Sequence, residues 1–442
     1  MKTIHFMLLG AVAFLFVACS RPKGDEGGIR FDFGSESNVR GYVQVTEGMA
    51  FDAERGFGFE SGYQPEAISL PGQSGSLLSD GVGGEESFFF SVAVPEGNHR
   101  VRLILAAGEK DSEVTVKAEL RRLMVESLRI EAGTTKEVTF VVNTRQPNIA
   151  AIDEIEAGRV KLKEPREVTQ EAWAWDDLLT LEFSGKRPIV CSLEVEPVDV
   201  PTVFLIGDST VCDQSREPYT SWGQMITAFF KAEVAIANHA ESGETYRDSL
   251  GRRRLDKILS VMKPGDYLFM QFGHNDQKQI KQGTGGPFTT YKEEMKAHVL
   301  GAQSRGGVPV ILSSMERLAF DDQGRALVSL GEYAAACKQV AEELGVAFID
   351  LNEPSRLLYE ALESRGEGKA EQAFAPGDRT HHNNFGAYQI AKIVAQGIAD
   401  SDLGLKAYLV DGFSYDPANP DSLDQFAVPS SPIATNLRPL GD

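Results

Sequence analysis

Hydrophobic and polar positions follow two different rhythms along this chain. From Ile29 to about Val198 the apolar residues come in short alternating runs, at 87–94 (SFFFSVAV), 99–105 (HRVRLIL) and 137–142 (EVTFVV). Turn formers separate them, at Pro95-Glu96-Gly97-Asn98 and Ala132-Gly133-Thr134. Short strands with regular turn signals predict an all-β sandwich. After Pro197-Val198-Asp199-Val200-Pro201 the apolar runs become nearly continuous, at 203–206, 234–237, 267–272, 309–312 and 346–349. Strands buried on both faces read this way. Helical stretches fall between them at 221–231, 290–305 and 331–344, with a last one around 385–400. Strand–helix alternation predicts an α/β fold, an open parallel sheet covered on both sides. In that architecture chemistry sits just beyond the carboxyl ends of the strands.

The first twenty residues have a third pattern. Lys2 precedes an apolar run from Phe6 to Ala18, which Cys19 closes. As a helix this run reaches only about 20 Å, short of the roughly 30 Å hydrocarbon core, so it reads as a signal-peptide segment. Phe16-Val17-Ala18-Cys19 resembles a bacterial lipobox, with Phe16 where Leu is usual. The resemblance implies lipidation of Cys19 and an exported lipoprotein at the outer membrane, on its periplasmic or surface side. An ordinary secretory signal is the alternative. The expected organisation is signal peptide 1–18, tether 19–28, sandwich 29–198, α/β domain 199–405 and a Pro-containing tail 406–442. That tail either straps onto the fold or frays.

Charge narrows the partners. With 44 basic and 64 acidic residues the formal net charge is −20, which excludes sequence-independent nucleic-acid binding. Four cysteines exclude a disulfide scaffold, and none forms a C-x-x-C pair. No H-E-x-x-H, EF-hand loop or P-loop occurs, so no metal or other cofactor is expected.

Polar clusters follow the predicted strands: Gly207-Asp208-Ser209-Thr210, then Asn238 to Thr245, then Gly273-His274-Asn275-Asp276, and finally Asp378-Arg379-Thr380-His381. Together they suit acyl transfer. A serine hydroxyl needs a base, which His381 can be, and Asp378 three residues earlier can hold the imidazole in one tautomer. The oxyanion needs donors placed in advance. The N–H of Ser209, the N–H of Gly243 and the side-chain amide of Asn275 are the candidates.

These four blocks resemble those of SGNH (GDSL-like) hydrolases over roughly residues 200–400. The resemblance implies a flavodoxin-like three-layer domain, nucleophile Ser209, oxyanion donors Gly243 and Asn275, and the pair Asp378–His381. Thr210 in place of the usual Leu, Ser221-Trp222-Gly223-Gln224, and His381 through Ala387 are similar to the rhamnogalacturonan acetylesterase branch. That branch implies an acetylated pectin substrate. The second block, Glu241 to Arg247, departs from its pattern, so Glu244 and Tyr246 are expected to alter how the sugar is held. Phe31-Asp32-Phe33-Gly34, residues 41–45 and residues 55–59 resemble the opening of galactose-binding-like sandwiches that precede bacterial polysaccharide esterases. Other glycan esters or lipids are alternative substrates, and a non-catalytic carbohydrate-binding lipoprotein is an alternative of another class.

Several side chains keep two readings. His382 either contacts substrate or caps the final helix, for which Asn383 or Asn384 is an N-cap. His274 is expected to orient its loop, and Cys212 is a competing nucleophile without a base. Trp173 and Trp175 form either a sugar-stacking face or sandwich packing. A polyanionic pectin and a net −20 chain require local positive groups; one of Arg247, Arg252, Arg253 and Arg254 is the expected carboxylate contact, with a solvated helix face as the other reading of the run.

Overall fold

The computed structural model describes residues 28–36, 38–70 and 75–435. Cys19, its preceding apolar run and the chain end beyond residue 435 lie outside them. No helix among the described residues is long and apolar enough to cross a membrane.

The N-terminal half forms two facing sheets. In one, Thr135–Thr144, Gly97–Ala106, Ile189–Pro197, Ile29–Phe33 and Val43–Val45 lie side by side, with Asp80–Gly83 paired to Ile189–Pro197 and Glu66–Ser69 paired in turn to Asp80–Gly83. The other orders Phe57–Phe59, Phe88–Ala93, Leu178–Lys186, Ser112–Ala118 and Arg122–Ile130. Period-two alternation builds the core between them. Val101, Leu103 and Leu105 point inward, while Arg100 and Arg102 on the same strand meet Glu196 and Glu194 outside. The aromatics that open the sandwich are core: Phe90 packs edge-on against Phe31 and Phe33 at 5.2 and 5.1 Å.

The second half begins with β1 (Thr202–Gly207), followed by β2 (Ala235–Asn238), β3 (Tyr267–Gln271), β4 (Val308–Leu312) and β5 (Ala347–Ile349). All pair in parallel, in the spatial order β2-β1-β3-β4-β5. This is the flavodoxin-like arrangement, whose ligand crevice opens where β1 and β3 diverge. Successive residues serve opposite faces. Val203 and Leu205 of β1 pack with Trp222, Leu358 and Ile390, whereas Phe204 and Ile206 pack with Leu255, Val299 and Tyr333. Helices Asn352–Glu363 and Asn384–Asp400 therefore cover one side. Arg254–Val261, Thr290–Ser304 and Gly331–Leu344 cover the other.

One predicted helix is shorter than its pattern. Residues 221–231 form an α-helix only over Trp222–Met225, with a Ser221–Gln224 capping box, and continue as a 3₁₀ turn at Ile226–Phe229. The turn tightens where Thr227 Oγ1 donates to Leu123 O of the sandwich at 2.7 Å.

The described part of the tail is a strap. Phe413 packs on Phe229, Phe426 packs on Phe385 and Tyr388, and Glu217 N–H donates to Ile433 O at 2.9 Å. Between these contacts, Lys117 of the sandwich donates to Pro429 O at 2.8 Å, so the strap ties the two halves together.

Candidate active site

The turn after β1 is set by two requirements. A Cβ on Gly207 would meet Gln271 O of β3 at 2.5 Å, so only glycine fits. Asp208 Oδ1 then accepts from Thr210 N at 2.9 Å and Thr210 Oγ1 at 2.8 Å, which folds the chain back and lifts Ser209 above the strand end. Ser209 Oγ lies 2.9 Å from His381 Nε2, and His381 Nδ1 lies 2.9 Å from Asp378 Oδ2. The Asp378–His381 segment is not a helical turn. Asp378 Oδ1 accepts the N–H groups of Thr380 and His381 at 2.8 and 3.0 Å. That Asx-type turn brings the carboxylate under the imidazole.

The predicted oxyanion donors lie on three loops, after β1, β2 and β3. Asn275 Nδ2 donates to Glu244 O at 3.1 Å, which sets its amide beside Gly243. Gly243 has φ +74°, a left-handed conformation that favours glycine. Gln214 Nε2 donates both to Ser209 O at 2.6 Å and to Ser242 Oγ at 3.3 Å, joining the serine turn to the Gly243 turn. The site thus spans the ends of β1, β2 and β3.

Residues 205–388 match the GDSL-like lipase/acylhydrolase family. Rhamnogalacturonan acetylesterase RhgT of Bacillus subtilis (strain 168) is 38% identical over 220 residues, 47% of this chain and 94% of that protein. The chain belongs to the GDSL-like lipase/acylhydrolase family. It is a carboxylic ester hydrolase. The uncharacterized esterase YxiM of the same organism is 26% identical over 380 residues, 83% of this chain and 89% of its own. A crystal structure of YxiM covers 84% of this chain and 97% of its own, with 23% identity and a TM-score of 0.42.

Around the aligned groups, this GDSL-like hydrolase uses charge mainly for construction. His274 does orient its loop, with Nδ1 3.3 Å from Asp208 Oδ2. Burial works against the Asp208 carboxylate, yet His274 and the Thr210 bonds together hold it below the usual range. His382 does not face the site. Its ring is buried on Phe374, and Nε2 meets Tyr359 Oη at 3.0 Å. Burial, with His381 and His274 nearby, lowers it to about 3. The cap of helix Asn384–Asp400 is Asn383, which accepts from Gly386 N.

The expected arginine contacts are otherwise engaged. Arg254 is fully buried between Glu244 at 2.8 Å and Glu167 at 2.7 Å. Arg253 pairs with Asp256, and Arg252 donates to Lys161 O and lies 3.6 Å from Glu244. Arg247, half exposed, pairs with Glu294 at 2.7 Å and donates to Thr284 O. Glu244 is therefore the counter-ion of Arg254 rather than a sugar contact. Tyr246 is likewise buried, against Phe272, Tyr291 and His298. Trp175 packs under the Arg145 guanidinium at 4.5 Å and donates to Glu167, while Trp173 packs on Phe89. Cys212 is buried beside Ser242 Oγ at 3.3 Å, and burial pushes its thiol well up, which removes it as a nucleophile.

Among the described residues one trio, Glu167, Glu171 and Glu241, lies close enough to share a cation. Guanidiniums already fill that role. Arg254 pairs with Glu167, and Arg166 pairs with Glu171 and lies 3.7 Å from Glu241. Burial and the Glu241 charge push the Glu171 carboxyl above the usual range, against the pull of Arg166.

Two sandwich residues carried no sequence signal and yet shape the site. Arg121 pairs with Glu217 at 2.6 Å and donates to Gln214 O, Tyr219 O, Thr220 Oγ1 and Asn384 Oδ1. Arg122 pairs with Asp213 at 3.1 Å. Both grip the loop that follows Ser209.

Proposed function

We propose that this hydrolase removes acetyl groups from a plant cell-wall polysaccharide, acetylated rhamnogalacturonan, through an acetyl-serine intermediate. The observation that carries the chemistry is the continuous hydrogen-bond chain Ser209–His381–Asp378, at 2.9 Å in each step. The substrate rests on the 38% identity to a rhamnogalacturonan acetylesterase.

His381 Nε2 takes the Ser209 proton as Oγ bonds to the acetyl carbonyl carbon. Negative charge moves onto the carbonyl oxygen. The N–H groups of Ser209 and Gly243 and the second Nδ2 hydrogen of Asn275 receive it. Collapse breaks the bond to the sugar oxygen, which leaves with the proton from His381. Water, deprotonated by the same imidazole, then attacks acetyl-Ser209 and releases acetate. Asp378 keeps the tautomer that points Nε2 at Ser209 and offsets the imidazolium charge.

Acetate release from acetylated rhamnogalacturonan, acetylated xylan and long-chain esters tests this, with Ser209→Ala as the control. Preference for the first, lost by about 10⁶ in kcat in the variant, is the expected outcome. Unchanged release by Ser209→Ala overturns the mechanism, and preference for xylan or long acyl chains overturns the substrate. We also propose export and anchoring through a lipid on Cys19. A Cys19→Ala protein should then leave the membrane fraction, and its retention there would argue against the anchor.

A further inference from the structure

The acid excess of the chain makes its few clusters of positive charge informative. Beside the catalytic loops lies a recess of about 420 Å³ whose lining includes Lys278, Lys281, Arg317 and Glu332, with His274 and Tyr333. The described lining thus contains three cations and one carboxylate, in a chain of net charge −20. The arginines expected to receive a sugar acid are elsewhere, held by Glu167, Glu244, Asp256 and Glu294.

The recess shares its walls with the ester site. His274 precedes Asn275 in the loop after β3, and Lys278 Nζ donates to Asn275 Oδ1 at 3.1 Å. Arg317 bonds Thr380 Oγ1 and donates to His274 O at 3.2 Å, linking the Asp378–His381 turn to the Asn275 loop. Lys281 is exposed, one turn beyond Lys278 on helix Lys278–Gln282, so both ammonium groups serve one face. A larger cavity, of about 510 Å³, includes Thr202, Asp199 and Asp266 in its lining, at the amino ends of the strands. It is at the wrong end of the sheet for ester chemistry.

We infer that the Lys278–Lys281–Arg317 recess binds a carboxylate of the polymer, so that the enzyme selects acetyl esters carried on or next to a uronate. This rests on the esterase reading above and adds the group that recognises the acid. Partly exposed ammonium groups attract a carboxylate within a Debye length of about 8 Å at physiological salt. The field is local and does not require the whole protein to be basic.

The test compares an acetylated rhamnogalacturonan oligosaccharide with the same oligosaccharide after its carboxylates are methyl-esterified. Wild type should show a kcat/KM about 10-fold higher on the free acid, a margin that shrinks in about 0.5 M salt. Lys281→Glu should erase that preference, and Lys281→Arg should keep it. Equal rates on both oligosaccharides in wild type, or a preference that survives Lys281→Glu, overturns the recess. Hydrolysis of p-nitrophenyl acetate, which has no carboxylate, separates the two failures. If that hydrolysis is absent, or persists in Ser209→Ala, the esterase reading itself falls and takes the recess with it. If it depends on Ser209 while no carboxylate preference exists, the recess alone is refuted.

Discussion

Replacing Arg121 with Met removes a guanidinium from the sandwich while leaving a side chain of similar reach. The turn that presents Arg121 holds Glu119 and Arg121 itself at φ +56° and +65°, a conformation costing about 1–2 kcal/mol per residue. The compensation is the buried set of bonds to the loop after Ser209. The 2.6 Å pair with Glu217 contributes most, because removing one partner of a buried pair costs about 3–5 kcal/mol. Glu217 keeps bonds from Asn384 Nδ2 and Ser431 N, which favours the lower end of that range. The Gln214 and Tyr219 carbonyls also lose a donor, at about 1 kcal/mol each and not additively. A total of about 3–5 kcal/mol corresponds to about 6–20 °C in Tm for a unit of this size. Activity should fall as well. Gln214 holds Ser209 O, and the Tyr219 ring stands edge-on to His381 at 5.9 Å, and small misplacements near reacting groups cost about 10²-fold. Calorimetry and kcat on p-nitrophenyl acetate at 20–25 °C read both effects. Arg129→Met, which removes an exposed pair with Asp111, is the control and should change neither. If Arg121→Met melts within about 2 °C of wild type and keeps its kcat, the sandwich does not brace the catalytic loop.

Asn275→Ala should lower kcat by about 10²–10³, with acetate release as the readout, if its amide meets the oxyanion; an effect confined to KM would refute that role. His298 is buried and lowered to about 4, so between pH 4 and about 6.5 the unfolded chain binds a proton that the folded one refuses. Stability therefore rises with pH across that window, by up to about 1.4 kcal/mol per unit. Glu119, pushed up by burial to about 8, and Glu171, also pushed up by burial, act with the opposite sign. The measurement is thus the urea stability gap between wild type and His298→Gln, which should narrow from pH 7 to 4.5; a constant gap would show that the imidazole is not protonated on unfolding. Cys191, Cys212 and Cys337 are buried thiols pushed upward by burial. Iodoacetamide should label none of them in the folded protein, and labelling of Cys212 with loss of activity would refute that account.

The fold class was readable because burial on two faces and burial on one face leave different hydrophobic rhythms. Continuous runs marked β1 to β5 and alternating runs marked the sandwich, each within a few residues of the observed strands. The polar groups of the site were also readable, because strand ends are where such a sheet places them. Ser209, Asp378 and His381 do meet, through the Asx-type turn at Asp378. What failed was the assignment of charge. Arg254 and Lys278 look alike in sequence, both basic and both near polar blocks. One is fully buried between two carboxylates, and the other lies in an open recess against Asn275.

The sequence by itself therefore determined the two architectures, the order of the parallel strands along the chain and the side chains fit for acyl transfer. Those depend on local periodicity and on residue chemistry, which a linear pattern carries. Only the tertiary structure decided which charges are spent in buried pairs, and that Arg121 and Arg122 of the sandwich hold the loop behind Ser209. An ion pair is fixed by distance and burial, both set by packing between segments far apart in sequence. Arg121 and Asn384 are 263 positions apart, yet they meet at 3.0 Å.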